Sequence, residues 1–216
     1  MSNSDSFIDE VTEEVRRDQL YAKFRRYGWI AVLAVLLLVG GAAYSEWQKA
    51  RAQAAAQALG DNLIAALGAP DTAARAAALD ALALDAAPGA LRDLLAAGEE
   101  STADDRSPAI DRLTALADDS TAPVVYRHLA ALKAVWLMGQ DSDADQRRAL
   151  LQPLSQAGQP FAPLAQEQLA LIAVETGDTA AAVAQLRDLI NSTEASVGLR
   201  QRAAQLMVAL GEDPGA

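Results

Sequence analysis

The 216 residues suffice for one domain of ordinary size plus extra segments. A formal charge of −11 argues against nucleic acid as a partner, because an acidic surface repels phosphate backbones. Cysteine is absent, which excludes disulfides, zinc–thiolate sites and thiol nucleophiles but fits both reducing and oxidising compartments.

Alanine makes up roughly a quarter of the chain, and β-branched and aromatic residues are sparse. That balance predicts closely packed helices, since alanine loses no side-chain entropy in a helix. No alternating strand pattern of any length is present.

Residues 1–26 read as a cytoplasmic amphipathic and basic helix. Ser4 or Ser6 can cap it, acids fill its early turns, and Arg and Lys fill its last ones, matching the helix dipole. Glu13 stands three and four residues before Arg16 and Arg17, which makes ion pairs available. Its apolar residues do not form one stripe. The segment is read as a solvated helix whose basic end meets lipid headgroups, with docking on a membrane complex as the sharper alternative.

Residues 27–47 predict a transmembrane helix. Tyr27 to Ser45 carries no charge, and at 1.5 Å per residue it reaches about 28 Å, close to the thickness of a hydrocarbon core. Tyr27 and Trp29 mark one membrane interface and Tyr44 and Trp47 the other, where amphipathic rings are favoured. A cleaved export signal is the rival reading, because Gly41-Ala42-Ala43 could be cut, but the apolar run is long and its leader rich in acids. Arg16, Arg17, Lys23, Arg25 and Arg26 precede the span, and only Lys49 and Arg51 closely follow it. Positive charge stays inside, so the expected protein is a single-pass bacterial inner-membrane protein with its bulk in the periplasm.

Residues 48–70 read as a connecting helix and 71–216 as a helical repeat domain. Short helices are expected from Asp71 to about 84 and from Pro88 to about 97. Further helices are expected at about 108–118, 122–139, 143–156, 160–176, 178–191 and 195–210, with Gly98 to Ser107 as a polar, mobile loop. A shift of 73 residues lays Ala109, Leu113 and Leu116 over Ala182, Leu186 and Leu189, and Arg127 over Arg200. A shift of 34 lays Ala170 over Ala204 and Gly177-Asp178 over Gly211-Glu212. The shorter shift has the period and turn position of tetratricopeptide units, and the longer one is about twice such a unit. Alanine suits the closest approach of two helices, so Ala170 and Ala182 are expected to face each other across a hairpin turning at Gly177. The expected fold class is all-α, an N-terminal transmembrane helix followed by a tetratricopeptide-like helical-hairpin solenoid.

No catalytic, cofactor-binding or metal site is expected. His128 has no recognisable partner motif and is read as a partly exposed surface residue. Asp104-Asp105, Asp118-Asp119 and Asp141/Asp143/Asp145 lack the glycine and distal glutamate of a calcium loop and are read as caps and solvated loops. Trp136 and Met138 are expected to pack between helices. Tyr126, Arg127 and Arg200, on first helices of their pairs, are the candidate partner-binding residues, with pairing to acids such as Glu194 as the alternative.

EEVRRD and RRYGW before the span, QPFAPLAQEQLALIAVETGDTAAA, and LRQRAAQLMVALG near the end carry a resemblance. The chain resembles the alphaproteobacterial branch of the ancillary Sec-translocon subunit family, single-span inner-membrane proteins with a tetratricopeptide-like periplasmic domain. The resemblance implies association with the translocation channel and contact with periplasmic chaperones or exported proteins. The alternative function is a structural accessory subunit of another inner-membrane complex, such as a respiratory enzyme.

Overall fold

A computed structural model describes the backbone of Asn3 to Pro214 and the side chains from Arg25 onward, apart from Tyr27 and Ala31. The expectations for Ser4, Ser6, the Glu13 pairs and the Tyr27 ring therefore lie outside the described side chains. The described residues are all-helical, with α1 (Asn3–Leu67), α2 (Thr72–Asp80), α3 (Ala86–Glu100), α4 (Ser107–Asp118), α5 (Val124–Met138), α6 (Ala144–Leu151), α7 (Ala162–Glu175), α8 (Thr179–Asn191) and α9 (Val197–Ala209). They fall into two compact units, Met1–Ala58 and Leu59–Ala216.

In the first unit α1 is long and apolar enough to cross a membrane, with a mean hydropathy of 2.0 in its most apolar window and none of that window buried. Glycines at Gly40 and Gly41 leave the helix unbroken.

The second unit begins with the last turns of α1. Leu63 and Ala66 are buried there with Leu79 of α2 and Ala96 of α3 in one apolar cluster. The end of the segment expected to connect thus packs against α2 and α3. Consecutive helices from α2 onward pack as hairpins, α3 also reaches α5, and α7 also reaches α9. Within each half the odd-numbered helices meet on one side and the even-numbered helices cover the other.

The 73-residue offset holds in three dimensions. It carries the start of α5 at Val124 onto the start of α9 at Val197. One core cluster contains Ala97, Ala109, Leu113, Leu116, Ala122 and Ala130. Their counterparts Ala170, Leu186, Leu189, Ala195 and Ala203 form a second cluster, and Ala182 is equally buried. Helices α2–α5 and α6–α9 are two copies of one four-helix plan, joined by a cluster of Leu132, Val135, Leu151 and Ile172.

The shorter period appears at the turns. After α7, Gly177 adopts φ 79°, its N–H donates to the Val174 carbonyl at 3.1 Å, and the Asp178 N–H donates to the Ala173 carbonyl at 2.9 Å. After α9, Gly211 at φ 83° repeats both bonds, to Val208 at 3.0 Å and from Glu212 to Met207 at 3.0 Å. This paired bonding satisfies carbonyls that the helix end leaves free, and it needs a left-handed residue that glycine supplies without a Cβ penalty.

Several boundaries differ from expectation, among them the end of α6, which stops at Leu151 rather than near 156. Helix α2 stops at Asp80 rather than near 84. Helix α3 starts two residues before Pro88 and runs to Glu100, so Gly98, Glu99 and Glu100 are helical rather than part of a loop. The reason is electrostatic: Glu99 binds Arg75 at 2.6 Å and Glu100 binds Arg112 at 2.7 Å, and both carboxylates are mostly buried. The shorter connection that remains, Ser101 to Arg106, is bracketed by Ser101 bonding the Gly98 carbonyl and Asp105 accepting from the Ser107 N–H.

Candidate functional site

The apolar stretch of α1 presents every large side chain outward. Val32, Leu33, Val35, Leu36, Leu37, Leu38 and Val39 are all about half exposed or more, and Leu38 reaches 74%. Trp29 stands at one end, exposed like its neighbours. At the other end the rings of Tyr44 and Trp47 lie 6.1 Å apart, Gln48 Nε2 donates to the Tyr44 hydroxyl at 3.0 Å, and the Arg51 guanidinium sits 5.6 Å above the Trp47 ring. Lys49 pairs with Glu46 at 2.9 Å. Aromatic rings carrying polar tips thus give way within two turns to charged groups.

The odd-numbered side of the second half holds a cleft of about 490 Å³ between α7 and α9. Leu171 and Leu206 line it together with Gln168 and Gln205, and Arg202 spans it, donating to both oxygens of Glu167 at 2.8 and 3.0 Å. The Arg202 pKa is raised by that bidentate hydrogen bond first and by the Glu167 charge second. Two flat forks matched in this way fix orientation as well as charge.

The structure places Tyr126 partly buried against the first-half core. Arg127 donates from Nε to the Ala117 carbonyl at 3.1 Å. Arg200 donates to the Ser192 carbonyl at 3.3 Å and, more closely, to the Ala195 carbonyl. Neither arginine reaches for Glu194. Arg92 of α3 reaches the Leu82 carbonyl at 3.0 Å, and Gln166 of α7 the Ser155 carbonyl at 3.0 Å. Each odd-numbered helix of the repeat therefore carries a side-chain donor, early in the helix, that closes the connection leading into it. The donor position was visible in the sequence as the Arg127/Arg200 repeat; its backbone acceptors were not.

Ala170, Ala182 and Leu186 have no exposed surface, Ala204 is half-buried, and Gly177 and Gly211 hold left-handed turns.

Two expectations fail. His128 is buried at 7% exposure rather than partly exposed, and its Nδ1 has no partner. Burial lowers its pKa below the ordinary value, and the adjacent Arg127 charge lowers it further. Trp136 is 50% exposed instead of packed, because α5 turns that face away from both core clusters it serves. Met138 does pack against the first-half core.

The acidic pairs act locally. Asp119 accepts from the Thr121 hydroxyl at 2.7 Å and from its N–H at 2.8 Å, bonds that hold its pKa below the ordinary range, and Asp143 caps α6 by accepting from the Asp145 N–H at 2.9 Å. Compared with known proteins, the chain matches no family model, no curated protein and no solved structure.

Proposed function

We propose that the chain is a membrane-tethered interaction module of the bacterial inner membrane. In this reading α1 crosses the bilayer once with its N-terminus cytoplasmic, and the tetratricopeptide-like repeat from 71 to 216 works in the periplasm as an ancillary factor of the Sec translocon. It assists exported proteins and the chaperones that receive them. The observation that carries the reading is the outward display of the apolar stretch of α1. Each such valine or leucine left in water forgoes about 1.5–3 kcal/mol relative to burial, and hydrocarbon removes that cost. The helical repeat supports the second part, because stacked hairpins build an extended surface rather than an enclosed chemical site. The translocon as partner rests on the resemblance carried by EEVRRD, RRYGW and the two repeat segments.

Crosslinking in native membranes, mild-detergent extraction and identification of the attached proteins tests it. Recovery of channel subunits and periplasmic folding factors is the expected outcome. Recovery of a respiratory or other complex without channel subunits would replace the translocon with that complex.

A further inference from the structure

The two halves of the repeat share a plan but treat one space differently. In the first half, Arg112 of α4 fills the space between α2 and α4 above α3. It donates to Asp80 at 2.7 and 2.9 Å and to Glu100 at 2.7 Å, and it lies 3.7 Å from Asp93. The Glu100 hydrogen bonds raise its pKa most, burial opposes them, and Asp80 adds to the rise. A recess of about 530 Å³ between α3 and α4 remains beside it, on the side away from Asp80 and Glu100.

In the second half the same offset puts Gln185 where Arg112 stands, and Pro153, Ala173 and Gln166 where Asp80, Glu100 and Asp93 stand. No ion pair bridges α6 to α8 among the described residues. The space is instead an open cleft of about 590 Å³, lined by Arg148 and Gln152 of α6 and its C-cap, Gln166 of α7, and Gln185 and Asp188 of α8. This cleft lies on the even-numbered side, away from the α7–α9 cleft.

Three of its donor side chains are already committed. Arg148, the one cation in the wall, binds Asp145 at 2.6 Å and the Thr176 hydroxyl at 2.8 Å. Gln166 Nε2 is held by the Ser155 carbonyl, and the Ser155 hydroxyl donates to the Gln152 carbonyl at 3.0 Å. Its acceptors are spare. Gln185 Oε1 is buried with no partner, Asp188 makes no hydrogen bond or ion pair with a described residue, and Asp178 accepts only from the Ala181 N–H at 3.1 Å. A buried acceptor without a donor is unfavourable until a donor arrives. The uncommitted Asp188 carboxylate and the second oxygen of Asp178 add a preference for positive charge, within a protein of charge −11.

We propose that the cleft between α6 and α8 receives an arginine or lysine side chain of a partner polypeptide, standing where Arg112 stands in the first half. The flat fork of a guanidinium supplies several donors at once, so arginine fits the spare acceptors better than lysine. In the first half the space between α2 and α4 is filled by the chain's own arginine; in the second half it is left for one brought from outside. This does not depend on which membrane complex the protein joins.

The test is titration of the ¹⁵N-labelled full chain, in a neutral maltoside micelle, with a blocked Gly-Arg-Gly peptide. Side-chain amide resonances of Gln152, Gln166 and Gln185 are expected to shift, and the same peptide with uncharged citrulline is expected to leave them in place. Asp188→Asn should weaken binding about two- to five-fold, the size of one exposed charge pair, and added salt should weaken it further. Gln185→Arg should occupy the cleft with its own side chain and abolish the shifts, with its unliganded spectrum reporting that the fold is kept. Equal shifts with citrulline, shifts that survive Gln185→Arg, or shifts confined to the α7–α9 face would each overturn the proposal.

Discussion

His128 shows how one residue can couple the fold to pH. It is buried beside Arg127 and has a pKa held below its unfolded value. The unfolded chain therefore binds the proton more readily, and stability is complete above about pH 6.5 and falls as pH drops through and below that value. His128→Gln should flatten the pH dependence of the thermal midpoint between pH 5 and 7. An unchanged slope in that variant would place the sensitivity elsewhere. Gly89 makes a second residue-scale case: a Cβ there would stand 2.6 Å from the Leu84 carbonyl oxygen. Gly89→Ala is expected to cost about 1–3 kcal/mol in urea unfolding, the ordinary penalty for overpacking, despite alanine's better helix propensity. A stabilised variant would mean that this backbone approach relaxes freely.

At the scale of elements, the ion pair of buried Arg147 in α6 with the more exposed Glu175 at the end of α7 ties the middle of the repeat together at 2.7 Å. Arg147 is only 4% exposed, and its Nε lacks a partner. Removing the carboxylate leaves an uncompensated charge indoors. Glu175→Ala should therefore lower unfolding free energy by about 3 kcal/mol, measured by urea titration of the helical circular dichroism signal. A loss no larger than that of a surface pair would show that water reaches the guanidinium. Elements of this kind divide what the sequence reveals from what it hides. Helices α4, α7, α8 and α9 were legible because glycine, proline and small apolar residues mark their ends and faces in sequence. The continuation of α3 through Gly98-Glu99-Glu100 was hidden, since it depends on Arg75 and Arg112, 24 and 12 residues away. Trp136 was misread for a related reason: composition says that a tryptophan favours burial, but only the packed helices say which face of α5 is left over. Arg127 and Arg200 were legible as a repeat, whereas their carbonyl acceptors required the connections to be folded.

At the scale of the molecule, duplication explains most of the chain after α1. Two four-helix copies keep several of the same buried alanines and leucines and the Arg127/Arg200 donor, and among their differences Arg112 gives way to Gln185. The candidate cleft was not visible in advance, because Gln152, Gln166 and Gln185 look like ordinary polar surface until the 73-residue offset sets them beside Asp80, Asp93, Glu100 and Arg112. The α1 segment stands outside this duplication, and the proposed tether depends on it alone.

Protease treatment of intact spheroplasts tests that tether most directly. If α1 spans the membrane with its N-terminus inside, added protease should digest the chain beyond Trp47 and leave a small protected fragment containing the N-terminus. Recovery of a soluble product beginning near Tyr44, or complete protection of residues 71–216 until the membrane is broken, would contradict it.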